Sequence, residues 1–97
     1  MSRRKKKKTV SKYIDDAIVV TSKVVAIEYT NAEVGESIKN VFYMKSDKYP
    51  DKGRMCISWG RCSVKVGDEV CCKGRINEQG TFLIWTLLIV KRGNSEV

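Results

Sequence analysis

Residues 64–91 read VKVGDEVCCKGRINEQGTFLIWTLLIVK and predict two antiparallel strands joined by a short turn. Across Val70–Ile76, apolar and small residues alternate with charged or thiol side chains, which is the period of two typical of a strand with one buried face. The connection Asn77–Gly80 is polar and ends in glycine, which reaches positive φ without a steric penalty. The second arm, Phe82–Val90, is apolar on both faces, so either both faces are covered or one is a contact surface.

Three further strands are predicted before this hairpin. Asp16–Tyr29 is too rich in β-branched residues for a helix, and Thr21–Lys23 interrupts it, which indicates one long strand with a bulge or bend. A polar loop is expected at Thr30–Ser37, followed by a second strand at Ile38–Lys45. The third strand, Arg54–Trp59, stops at a glycine.

Five strands without a secure helix predict an all-β domain. A closed five-stranded Greek-key barrel is favoured over a sandwich, because sandwiches usually have about seven strands and a long bent first strand can pair with a partner at each end. The segment Arg61–Ser63 has room for one helical turn at most. The expected organisation is a disordered basic arm at residues 1–12, the barrel at residues 13–92 and a flexible tail at residues 93–97.

Composition limits the class of protein. A chain of 97 residues with 42% hydrophobic content fits one domain with one modest core. No apolar run approaches the roughly 18 residues of a membrane span, and no apolar segment follows the charged N-terminus. We therefore expect an intracellular protein, cytoplasmic or nuclear, that makes no contact with a membrane.

The formal charge of +8 is unevenly distributed. Six of the 19 Lys and Arg side chains are consecutive near the N-terminus, which leaves thirteen basic against eleven acidic residues elsewhere. Consecutive like charges repel one another and bury nothing, so this arm is expected to be disordered. It is suited to polyanions through counterion release, to nuclear import, or simply to solubility. The arm residues counted as nucleic-acid contacts are Arg3, Arg4, Lys5, Lys6, Lys7 and Lys8.

Neither metal nor catalytic chemistry is indicated. The four cysteines, Cys56, Cys62, Cys71 and Cys72, contain no C-x-x-C pair, and the chain has no histidine. Adjacent residues of a strand point to opposite faces, so Cys71 and Cys72 are expected to be separate, reduced thiols. Without histidine or a glycine-rich phosphate loop, we expect no catalytic residues, no metal site and no cofactor.

The second strand carries the first signal of a ligand. Tyr43 lies between Lys39 and Lys45 on one predicted face, and an aromatic ring between two ammonium groups suits a stacked base with its flanking phosphates. An ordinary solvated face is the alternative interpretation. Further phosphate contacts are expected from Arg54, Arg61, Lys73 and Arg75, which lie on strands or at strand ends.

Two motifs resemble a known family. CISWGR at Cys56–Arg61 and VGDEVCCKGRI at Val66–Ile76 are similar to the third and fourth strands of OB-fold single-stranded DNA-binding domains of the bacterial SSB type, over about Asp16–Arg92. The resemblance implies that Trp59 stacks on a base, with Tyr43 as a weaker second platform; burial of Trp59 in the core or an interface is the alternative. For Trp85, the core or a subunit contact is favoured. The family's helix between the third and fourth strands is nearly absent, so something else, such as a second subunit, is expected to close that end.

The function expected is therefore non-catalytic binding of single-stranded nucleic acid, DNA ahead of RNA, with little sequence preference and a role such as replication. A protein-interaction subunit of a genome-maintenance complex, docking a partner through Phe82–Val90, is the alternative. A homodimer through that strand fits either hypothesis. A tRNA- or ribosome-associated barrel ranks third.

Overall fold

The computed structural model describes residues 17–93, and β-strands account for most of them. No helix occurs within this range, so the all-β prediction is confirmed there. Accordingly, residues 17–93 contain no helical segment that could span a membrane. The predicted arm at 1–12 and nearly all of the predicted tail lie outside the described residues. The strands are β1 (Ile18–Val34), β2 (Ser37–Met44), β3 (Arg54–Trp59), β4 (Glu69–Ile76) and β5 (Phe82–Lys91).

The five strands form one sheet that closes into a barrel in the order β1-β2-β3-β5-β4. The 17-residue β1 makes this closure possible because it pairs with two strands. Its first part, Ile18–Lys23, is antiparallel to β4, and from Val24 onward it is antiparallel to β2. The change of partner coincides with the interruption predicted at Thr21–Lys23. Three register shifts in the β1–β2 pairing then coil the strand around the core.

The predicted loop at Thr30–Ser37 is wrong. β1 continues to Val34, and a two-residue turn at Gly35–Glu36 leads directly into β2. Gly35 has φ 63° at the first turn position, where glycine avoids strain. The polar side chains that suggested a loop lie on a hairpin end that is exposed or half-exposed, so they require no buried face.

The hairpin predicted within residues 64–91 is confirmed. β4 and β5 are antiparallel from Ile76↔Phe82 to Glu69↔Lys91. Asn77 organises the turn between them: its Oδ1 accepts hydrogen bonds from the amides of Gln79 and Thr81, and Gly80 takes φ 85°. Ile76, predicted to share the buried face, is exposed because it ends its strand.

The core fills the barrel interior and one of its ends. Every strand contributes buried side chains, and Val64 enters from the connection between β3 and β4, where no helix is present. Val64 therefore takes part in closing the barrel end that was expected to need another element, such as a second subunit. The buried cluster comprises Val24, Phe42, Met44, Cys56, Val64, Val70, Cys72, Phe82 and Ile84.

Candidate functional site

One surface of the barrel, here called the outer face, is formed by β2, β3 and β5. Cys56 and Ser58 are buried, so the alternate residues of β3 point away from the core. Lys39 of β2 is the register partner of Trp59, and the parallel pairing of β3 with β5 continues the surface onto the last strand. The outer face comprises Lys39, Tyr43, Met55, Ile57, Trp59, Leu83 and Trp85.

Two exposed tryptophans dominate this face. Trp59 is 55% exposed and Trp85 is 54% exposed, so neither is a core residue. They directly follow the last paired residues of β3 and β5, Ser58 and Ile84, and they line the same groove. The ammonium of Lys39 lies 5.6 Å from the centroid of the Trp59 ring, a cation–π distance. The site therefore joins two indoles and a cation.

A register shift explains why sequence patterning missed Trp85. Phe82 and Ile84 are buried, whereas the next residues of β5 that pack on the core are Leu87 and Ile89. Two residues instead of one separate Ile84 from Leu87, so the alternation of the strand is broken there. A shift in the β4–β5 register next to Trp85 accommodates the extra residue. β5 is apolar on both faces because its outer side carries apolar residues, such as Trp85 and Leu88, that are exposed. The interpretation of Trp85 as barrel core is therefore wrong.

A groove runs from the two tryptophans along β5. It has a volume of about 410 Å³ and lies between residues 58–63 and residues 84–89. Arg61 is the single charged residue in its lining, and Leu88 forms part of the far wall. An anionic or aromatic ligand would thus meet no carboxylate here.

Two asparagines hold the loop that carries Arg61. Asn40 is fully buried, and its Nδ2 donates to the Ser58 hydroxyl at 3.1 Å and to the Gly60 carbonyl at 2.8 Å. Its Oδ1 accepts from the Asn31 amide at 2.7 Å. Asn31 in turn donates to the Cys62 carbonyl and accepts from the Cys62 amide.

This Asn31–Asn40 clamp fixes the backbone on both sides of Arg61. Asn31 has φ 59°, a left-handed conformation that asparagine tolerates better than most residues. The clamp was not predicted from the sequence, because Asn31 lies in a segment predicted to be a loop. Asn40 lies at a strand position that usually holds an apolar residue.

The other predicted cations divide into two groups. Lys73 and Arg75 lie on β4 with side chains on the outer side of the sheet, and Arg75 is the register partner of Leu83 of the outer face. Arg54 is engaged elsewhere: its Nη1 donates to the Gly80 carbonyl at 2.7 Å, and its guanidinium lies 5.1 Å from the Tyr49 ring centroid.

Arg54 and Trp59 are at opposite ends of β3, roughly 17 Å apart for five residues of strand. Lys45 is likewise remote from the indoles, six positions beyond Lys39 and just past the end of β2. The structure thus brings Trp59, Lys39 and Arg61 together but leaves Arg54 and Lys45 at the other end. The predicted arm contacts, Arg3 to Lys8, lie outside the described residues.

Tyr43 lies on the outer face but is half-covered. Its hydroxyl donates to the Glu28 carboxylate at 3.3 Å, and partial burial, together with the Glu28 charge, raises the pKa of Tyr43. A carboxylate next to this ring is unfavourable for a neighbouring phosphate. Of the predicted aromatic platforms, Trp59 is therefore the better placed.

The thiols follow the predicted pattern. Cys72 is buried while Cys71 is half-exposed, and all four cysteines are free. Burial raises the pKa of both Cys56 and Cys72 to about 12, with neighbouring thiols adding to the shift. Within residues 17–93 no three Cys, Asp or Glu side chains are arranged to hold a metal ion.

Comparisons with protein-family models, curated proteins and solved structures found no match to this chain.

Proposed function

We propose that this chain is a non-catalytic OB-fold protein that binds single-stranded nucleic acid across the outer face. Three features support the OB-fold: the closed strand order β1-β2-β3-β5-β4, the parallel β3–β5 pair and a long first strand shared between two partners. OB-folds bind oligonucleotides on the face of their second and third strands. Trp59 and Lys39 lie on that face.

The observation that carries the proposal is the pair of exposed indoles beside a lysine. Single-stranded nucleic acid offers a π-face on every base and a negative charge on every linkage, so aromatic platforms flanked by cations recognise it without reading sequence. Trp59 and Trp85 supply the platforms. Lys39 and Arg61 supply charge at the indoles, and Lys73 continues the basic side chains onto β4. We put DNA ahead of RNA on the resemblance of CISWGR and VGDEV to SSB-type domains.

Fluorescence titration with an oligothymidine of about eight nucleotides, within the usual OB site size, tests the proposal. We expect quenching of tryptophan emission and an affinity that falls steeply as salt rises. Trp59→Ala and Trp85→Ala should each weaken binding by about 5- to 150-fold, which corresponds to the 1–3 kcal/mol of one stacked base. Binding by each variant, which retains one tryptophan, is followed with fluorescently labelled oligothymidine.

Val34→Ala is the matched control, because Val34 is an exposed apolar residue at the end of the first hairpin. It should leave the affinity unchanged. Absence of binding by the full chain at low salt would refute the proposal. Loss of affinity in the control equal to that in the tryptophan variants would refute the assignment of the face.

The nature of the nucleic acid is tested by one comparison at a fixed salt concentration. Oligothymidine, oligouridine of the same length and folded tRNA are titrated against the full chain. Tightest binding to oligothymidine supports DNA as the ligand. Tightest binding to tRNA would instead support the ribosome- or tRNA-associated alternative.

Docking of a protein through β5 is the second candidate function. It is favoured by Leu88, which is 61% exposed, and by the exposed Val90, because aliphatic side chains add little to the recognition of phosphates or bases. Val90→Ser separates the two candidates, because Val90 is exposed on β5 but does not line the groove. It should leave oligothymidine affinity unchanged if nucleic acid is bound by the indoles and cations alone.

A further inference from the structure

β5 has an open edge along its second half. On one side it pairs with β4 over its whole length, from Phe82 to Lys91. On the other side β3 pairs only with Phe82–Ile84 and then ends at Trp59. No other strand within residues 17–93 takes the place of β3 beside residues 85–91. In an antiparallel pair, alternate residues direct their N–H and C=O groups away from the partner, so this edge presents unpaired backbone groups.

The open edge lacks most of the usual protection against pairing. Natural edge strands are blunted by charges, proline, bulges that turn them away, or a covering element. The segment Trp85–Val90 contains neither charge nor proline, and Lys91 is the first charge along it. Register shifts against β4 occur at Trp85 and Val90, but Thr86–Ile89 between them pair regularly with β4. Its side chains Trp85, Leu88 and Val90 are also exposed. An apolar open edge of this kind is expected to be occupied.

We propose that the occupant is a second copy of this chain, paired antiparallel through β5 about a two-fold axis at Leu88. An antiparallel strand pair with its axis at a residue is self-complementary, as a closed dimer requires. Leu88 meets Leu88 of the second copy, Thr86 meets Val90, and Leu87 meets Ile89. Thr86, Leu88 and Val90 are exposed while Leu87 and Ile89 pack on the core, so every pair joins residues of the same face.

Charge favours this register. Lys91 is the only charged residue of β5, and the pairing sets it opposite Trp85 of the second copy rather than opposite the other Lys91. A lysine next to an exposed indole can make a cation–π contact, as Lys39 does with Trp59. The register thus avoids like-charge repulsion across the axis.

A consequence, which rests on the proposed function, concerns the nucleic-acid face. The pairing makes one sheet continue from β5 of one copy to β5 of the other, so both Trp85 side chains lie on the same surface. They are separated along the strands by six residues, roughly 20 Å. An oligonucleotide long enough to reach both should bind more tightly than a short one through effective concentration.

Sedimentation equilibrium of the full chain tests the dimer without nucleic acid. The wild-type chain should approach twice the monomer mass as concentration rises. Leu88→Glu places two carboxylates at the axis and should shift the mass to that of the monomer. Val19→Glu is the control: Val19 is equally exposed but lies on β1, on the far side of β4 from the open edge, so this variant should remain dimeric.

Hydrogen exchange gives a second readout that does not depend on a variant. Amides within residues 85–91 that point away from β4 should be protected at high concentration and lose protection on dilution. A monomeric wild-type mass into the millimolar range, or a Val19→Glu variant that dissociates as Leu88→Glu does, overturns the proposal. A monomer that still binds oligothymidine refutes the dimer alone, and a dimer that does not bind it refutes the function alone.

Discussion

Asp68 links the connection between β3 and β4 to the chain just after β5, and its replacement gives a direct test of how the fold is stabilised. The side chain is 2% exposed. Its Oδ2 accepts hydrogen bonds from the Lys65 amide at 2.9 Å and from Arg92 Nη1 at 2.8 Å, and its Oδ1 accepts from the Gly93 amide at 2.7 Å. One carboxylate therefore joins the connection after β3 to the end of β5.

Asp68→Asn is the perturbation of choice because it conserves shape. The amide has one acceptor oxygen, so if that oxygen faces Lys65 and Arg92, its NH₂ group faces the Gly93 N–H, donor against donor. A hydrogen bond to a charged group is worth about 1.5–3 kcal/mol, and an unsatisfied buried donor adds to its loss. The ion pair itself adds only about 0–1 kcal/mol, since Arg92 is 54% exposed. We expect a total loss of about 2–4 kcal/mol.

Lowering the pH should narrow the difference in stability between the wild type and Asp68→Asn. Burial alone would raise the pKa of Asp68, but hydrogen bonds from Gly93 and Lys65 and the Arg92 guanidinium outweigh it and lower the pKa. A carboxyl group with a lowered pKa stabilises the fold fully above its unfolded value of about 3.9, and this contribution is lost as pH falls through the folded value. The gap between wild type and Asp68→Asn should therefore narrow below about pH 4.

Urea unfolding followed by tryptophan fluorescence measures the loss of stability and its dependence on pH. In a thermal melt at neutral pH, the melting temperature of Asp68→Asn should be lower than that of the wild type by roughly 10–25 °C for a domain of this size. Arg92→Ala is the matched control, with an expected loss of about 1 kcal/mol or less. If Arg92→Ala costs as much as Asp68→Asn, or if the gap does not depend on pH, the two amide hydrogen bonds are not what makes Asp68 stabilising.

Three further outcomes are expected. Asn40→Ala removes the donor to the Ser58 and Gly60 carbonyls inside the barrel and should lower the free energy of unfolding by about 2–4 kcal/mol, measured by urea titration. Gly74→Ala should destabilise the domain by at least about 2 kcal/mol in the same assay, because a Cβ there would overlap the carbonyl of Leu83. Cys71 should react with Ellman's reagent before Cys56 and Cys72, whose burial raises the thiol pKa to about 12, and the order should disappear in denaturant.

Local patterns were enough to predict several elements. β3 has the predicted bounds, Arg54–Trp59, and the last hairpin turns at the predicted polar segment. Both are defined by neighbours in sequence: an apolar run that ends in glycine, and a polar turn between two alternating strands. The number of strands and the long bent β1 were predicted for the same reason, because β-branched segments and glycine-rich turns are local signals.

The errors arise where register depends on distant partners. The outward orientation of Trp85 follows from a shift in its pairing with β4, which no period within β5 encodes. β1 extends through Thr30–Val34 because β2 folds back on it, with Asn31 taking a left-handed conformation that lets it reach Cys62. Asn40 was missed because a buried amide is recognisable only once its partners are known.

The missing helix between β3 and β4 links both candidate surfaces. A short connection enters the barrel end with Val64 and is fixed by the Asn31–Asn40 clamp, and no strand within residues 17–93 pairs with β5 on the β3 side beyond Ile84. The same absence leaves the groove between Arg61 and Leu88 open, next to both tryptophans. Because the two surfaces meet at Trp85, occupancy of the edge by a second copy would fix the surroundings of that indole, and Leu88→Glu should then alter the emission of Trp85.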